Sequence, residues 1–193
     1  PCLGIEPTSS TATVAEELGI PVIREFFGSE LAQKLATEEK SADLIIGNNV
    51  YAHVPDINDF TKGLKTILKL DGVVTLEFPH LMRLIEHTQF DTAYHEHFSY
   101  LSLTAVSSIF SRKGLRIWDV EELETHGGSL RVYGCHEDSA RVNSVKVGQI
   151  LEQESKKGLT DITIYREFQT RAESVKNTLI SFLIEQRNRG KSV

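Results

Sequence analysis

The chain predicts an α/β fold in which an open, largely parallel sheet is flanked by helices and finished by an antiparallel strand. Three observations carry this expectation. Short apolar runs alternate with amphipathic helical patterns through the first half of the chain. The run Leu44-Ile45-Ile46 lacks polar alternation, as expected of a strand covered on both faces. Beyond His97 the pattern changes, to a helix and then two short strands around Gly127-Gly128, the composition of a hairpin turn.

In chain order, Cys2 to Glu6 reads as a strand stopped at Pro7, and Thr8-Ser9-Ser10 caps a helix carrying Ala12, Ala15 and Leu18. Ile20 to Ile23 is a second short strand, and Ser29 opens a helix through Leu31 and Leu35. Leu44 to Val50 is a buried strand. Asp56 caps a helix whose Ile57, Phe60, Leu64, Ile67 and Leu68 form one apolar stripe. A turn at Asp71-Gly72 leads into a strand from Val73 to Phe78, ended by Pro79. His80 and His87 bracket a helix and read as surface residues. A helix from Leu103 to Arg112 precedes strands at Leu115 to Val120 and Ser129 to Gly134. From Ala140 to Arg189 the pattern is helical, with Phe168, Ala172, Val175, Leu179, Phe182 and Leu183 on one face, and Arg187 to Val193 reads as a polar linker.

A net charge of −6, with no basic block interleaved with aromatics, argues against a nucleic-acid surface. No apolar run is long enough to span a bilayer. The two cysteines, Cys2 and Cys135, are far apart and lack a CxxC partner, which excludes a disulfide framework or a four-thiolate zinc site within this chain and fits a reducing, cytoplasmic setting. No obligate protein partner is evident.

The chemistry concentrates at strand ends. Glu6, followed by Pro7, closes a parallel strand, where a carboxylate can accept from both hydroxyls of a ribose. An NAD-binding fold would show the same acid, and a solvated strand end is the plain alternative. Asn48 and Asn49 are poor strand formers and favour a binding role or a turn. His53 lies in the loop that follows. Tyr94-His95-Glu96-His97 places four proton-handling groups in succession. In an extended segment Tyr94 and Glu96 share one face and the two histidines the other. Such a set supplies a general base and a donor to an oxyanion. Metal ligation by His95 and His97, with His53 or Glu96, and a purely structural cluster remain rivals. His126 and Ser129 flank the Gly-Gly turn and can reach a substrate hydroxyl or phosphate.

Taken together, Gly4-Ile5-Glu6-Pro7, Ala42 through Asp56, Leu68 through Val73, Glu77-Phe78-Pro79, Phe90 through Leu101 and His126 through Arg131 resemble the deoxysugar C-methyltransferases. These enzymes methylate a carbon beside a ketone in nucleotide-linked hexoses. The resemblance implies a Rossmann-like class I methyltransferase domain over residues 1–138, and a helical segment over residues 139–193 leading to a further domain. It implies S-adenosylmethionine held by Glu6, Pro7, Asn48 and Asn49, and a nucleotide-linked keto-deoxysugar as substrate. His97 is then the base, with Tyr94, Glu96 and His53 positioning the sugar or stabilising the enolate. No metal takes part in that step; the family's zinc site belongs to a segment N-terminal to these residues. The family's first strand, with its Gly-rich loop, would lie between the strands ending at Glu6 and Asn49, so the expected sheet has unpaired edges there. Two other readings stay open, a non-catalytic cofactor-binding module and an NAD-dependent sugar-modifying enzyme.

Overall fold

The computed structural model describes residues 2–193. Strands β1 (Gly4–Ile5) and β2 (Val22–Ile23) pair in parallel as a small sheet. A second sheet has the order β3-β4-β6-β5, from Ala42–Asn48, Leu68–Pro79, Ser129–His136 and Leu115–Leu123. β3 runs parallel to β4, whereas β6 is antiparallel to both β4 and β5. The parallel front half and antiparallel finish follow the expectation. β1 and β3 share no ladder, and on β3 Leu44 and Ile46 are 54% and 65% exposed. The division thus falls where the resemblance places another strand.

Helices α1 (Ser9–Glu17), α2 (Ser29–Thr37) and α3 (Ile57–Ile67) connect these strands. α3 forms because its apolar residues recur on one face. Asp56 caps it, its carboxylate accepting the N–H groups of Asn58 and Asp59 at 3.0 and 2.9 Å. Asp56→Ala is expected to destabilise the protein by about 1 kcal/mol, read from urea unfolding. α2 and α3 approach closely because position 63 is glycine; a Cβ there would lie 2.8 Å from the Gly28 carbonyl oxygen. The main core joins α3, the central strands and two later helices, α5 (Leu103–Ser111) and α6 (Val145–Lys156), through Phe60, Leu64, Leu76, Phe78, Phe110 and Ile150.

Four expectations are corrected. β3 is a strand but is not covered on both faces, since Leu44 and Ile46 lie open on one of them. Asp71-Gly72 lies inside β4, which begins at Leu68; the two residues are absorbed by a register shift against β3 between Ala42 and Leu44. His80 is 1% exposed and buried beneath the C-terminal segment, at the head of α4 (Leu81–Glu86). His87 is exposed, as expected. The apolar stripe of α7 (Ile162–Asn188) exists at helical spacing, but Leu179 and Phe182 are 56% and 54% exposed. Periodicity reports which residues share a face, not what covers it.

Candidate active site

The site gathers where β3 and β4 end. β4 delivers the chain into a long excursion, residues 80–101, that returns beside its own start through a parallel bridge between His80 and Leu101. Within it, Tyr94 to His97 form a turn, not the extended segment expected. The His97 N–H donates to the Tyr94 carbonyl at 3.1 Å, which folds the two side chains onto each other with ring centroids 4.4 Å apart. Residues three apart therefore meet, and the alternation of faces is lost.

His97 is held on several sides. Its Nδ1 lies 3.0 Å from the Thr92 carbonyl oxygen. A carbonyl only accepts, so Nδ1 carries the hydrogen, and in the neutral ring Nε2 keeps a lone pair. The Tyr94 hydroxyl lies 3.3 Å from that Nε2, close enough to donate to it. The His53 ring stands edge-on at 4.7 Å, and Tyr100 at 5.8 Å. His53 is set by the same logic, its Nδ1 donating to the Glu96 carbonyl oxygen at 3.0 Å. The Phe98 and Ser99 N–H groups both donate to the Ala52 carbonyl, which ties the His53 segment to the His97 loop. A small hollow beside His97 is lined by Ala52, Pro79, Leu81, Thr92 and Ser99.

Glu96 enters this network through its backbone, while its side chain and that of His95 are exposed. The carboxylate expected to orient a histidine is thus replaced by the Thr92 carbonyl. No side-chain signal in the sequence could have revealed a backbone acceptor. Among the described residues no three His, Cys, Asp or Glu side chains converge as metal ligands.

Glu6 follows β1 directly. Its Oε1 accepts the Thr8 N–H at 2.7 Å at the entry to α1, and Oε2 takes no part in that bond. Pro7 beside it is exposed. Asn48 is exposed at the end of β3, and Asn49 adopts a left-handed backbone, φ 53°, its N–H donating to the Glu77 carbonyl at 2.8 Å. Asparagine tolerates this conformation better than most residues, so the turn itself explains part of its presence.

The Gly-Gly turn joins β5 to β6. Gly127 and Gly128 have φ of 75° and 121°, which side chains with a Cβ rarely adopt. His126 is exposed. Ser129 is 2% exposed, and its hydroxyl closes the turn by donating to the Thr125 carbonyl at 3.0 Å. Of the two flanking residues, His126 alone projects outward. Gln89, which sequence reasoning passed over, donates to the Gly127 carbonyl at 2.9 Å and so joins the turn to the His97 loop.

Comparisons with known proteins agree with this architecture. A family model described as "Methyltransferase domain" matches residues 4–120, and one described as "C-methyltransferase C-terminal domain" matches residues 124–193. The chain is 35% identical over 174 residues to C-methyltransferase NovU of Streptomyces niveus, covering 90% of this chain but only 41% of that protein. A SAM-dependent methyltransferase of Thermotoga maritima shares the fold at 18% identity and a TM-score of 0.55, covering 71% of this chain and 73% of that one. Another, from Anabaena variabilis, does so at 13% identity and a TM-score of 0.54, covering 69% and 67%. With a Rossmann-like class I methyltransferase sheet and a family model matched over more than half its length, the chain belongs to the methyltransferase domain family.

Proposed function

We propose that this protein is an S-adenosylmethionine-dependent C-methyltransferase acting on the carbon beside the keto group of a nucleotide-linked deoxysugar. The observation that carries this reading is the contact of His97 Nδ1 with the Thr92 carbonyl oxygen, which leaves Nε2 facing Tyr94 and His53. With Nδ1 committed to the Thr92 carbonyl, the neutral ring offers Nε2 to a proton once substrate displaces the Tyr94 hydroxyl, and a second imidazole stands beside it. Removing the proton beside a ketone leaves an enolate, which the Tyr94 hydroxyl can stabilise by donating to its oxygen, with His53 positioning the sugar. Glu96 and His126 are exposed at the same end and available to sugar hydroxyls, with Ser129 supporting the turn.

When bound, S-adenosylmethionine supplies an electrophilic methyl group. Glu6 fits its ribose, being a carboxylate at a parallel strand end with one oxygen outside the local bond. Pro7, Asn48 and Asn49 would line the same cofactor. In this reading residues 1–138 form the methyltransferase domain, and residues 139–193 lead into the part that completes nucleotide binding. Any zinc lies outside these residues, in the N-terminal segment that the resemblance implies. The thiols, an exposed Cys2 and a buried Cys135, are both free, in keeping with a cytoplasmic protein.

The test is turnover of a nucleotide-linked keto-deoxysugar with S-adenosylmethionine in the full-length protein. The expected result is S-adenosylhomocysteine with a new carbon–carbon bond. In heavy water, with the cofactor withheld, deuterium should enter the carbon beside the ketone. A methyl group found on oxygen or nitrogen would sink the reading.

A further inference from the structure

One buried carboxylate lies outside everything assigned so far. Glu154 of α6 is fully buried, and four donors converge on it. Its Oε1 accepts from His80 Nε2 at 2.8 Å and the Leu103 N–H at 2.6 Å; its Oε2 accepts the Thr104 N–H at 2.8 Å and the Thr104 hydroxyl. Burial by itself would push this carboxyl's pKa up. The bonds from His80, Thr104 and Leu103 outweigh that effect and hold it below its ordinary value.

A buried charge is expensive and is not needed simply to fill space. Nor does α5 lack a cap, since the Ser102 hydroxyl already accepts the Ala105 N–H at 3.1 Å. What Glu154 joins is the two ends of the excursion bearing the base. His80 begins that excursion. Its backbone N–H donates to the Gly128 carbonyl at 3.0 Å, and Leu81 donates to the Leu101 carbonyl at 2.9 Å. Leu103 and Thr104 immediately follow its end. A single side chain therefore grips the entry through His80 and the exit through α5, and His97 lies just inside that exit.

We infer that Glu154, acting through His80 and the first turn of α5, is a positioning residue for His97. The C-terminal segment thereby sets the geometry of a base it does not touch. This inference rests on the reading of His97 as the base.

In the full-length protein, Glu154→Gln keeps the length of the side chain but replaces one acceptor oxygen by a donor, which faces donors on every side. It should lower kcat about 10- to 100-fold, the scale of a displacement of roughly 1 Å. KM for the keto sugar and affinity for S-adenosylmethionine should change less than about threefold. Hydrogen exchange at amides 92–101 should accelerate, with β3 and α2 unchanged. His80→Gln, which keeps an N–H donor, should retain most activity, whereas His80→Ala should match Glu154→Gln. Wild-type kcat with wild-type exchange in Glu154→Gln overturns the proposal. Exchange that accelerates uniformly across the sheet also overturns it, because it marks a general loss of stability. A wild-type protein that turns over no keto sugar, yet whose residues 92–101 loosen in Glu154→Gln, removes the proposed reaction and leaves the clamp standing.

Discussion

Alanine at position 97 is expected to slow methyl transfer by about 10²- to 10⁴-fold, the range a positioned general base contributes. The imidazole should not be replaceable from within the site. His53 commits its own Nδ1 to the Glu96 carbonyl, and its ring lies 4.7 Å from that of His97, so it does not occupy the same place. Because Glu6 and Asn49, proposed to hold S-adenosylmethionine, belong to other segments, its affinity should stay within about twofold, making the loss one of kcat and not of binding. Deuterium entry at the carbon beside the ketone should vanish together with methyl transfer. Undiminished turnover, or deuterium entry that persists while methyl transfer stops, would move the base elsewhere.

Phe78→Ala carries the largest expected cost in stability, about 3–5 kcal/mol. Phe78 is 1% exposed near the end of β4, its ring 6.3 Å from that of Tyr51, within the core shared by the central strands and α5. Truncation removes the ring's buried surface and leaves a cavity that neighbours held by two strand ladders cannot fill. Urea titration should show a lower midpoint with an unchanged slope. A shift worth less than about 1 kcal/mol would mean that the core collapses onto the vacancy.

The parts of the fold legible in the sequence are those governed by local pattern. The stripe from Ile57 to Ile67, the strand at β3 and the Gly-Gly turn each depend on neighbours a few residues away, and each is found, although the expected cover over both faces of β3 is not. The Tyr94–His97 cluster was legible as chemistry but not as geometry. Residue types announce proton handling, whereas the turn that stacks Tyr94 on His97 depends on backbone bonds made by Thr92 and Ala52. His80 was misplaced for a related reason. A histidine beside a proline at a strand end looks exposed until a partner many residues away, Glu154, is brought to it. Pairings across such separations leave no periodic trace, and β4 likewise absorbed Asp71-Gly72 by bulging against β3, between the pairs Ala42–Leu68 and Leu44–Val73.

The placement of β6 between β4 and β5 has a kinetic consequence. β3, α3 and β4 are contiguous in the chain and can assemble from low-contact-order pairings as they emerge. β5 emerges next but has no ladder to β4, and it joins the sheet only through β6. The amide of His80 likewise waits for the Gly128 carbonyl, and its imidazole waits for Glu154. A nascent chain stalled after Leu101 would already hold Tyr94, Glu96 and His97 without the frame that aligns them. On the proposed assignment, the site is aligned only after Glu154 has emerged, well after Tyr94, Glu96 and His97 have been synthesised.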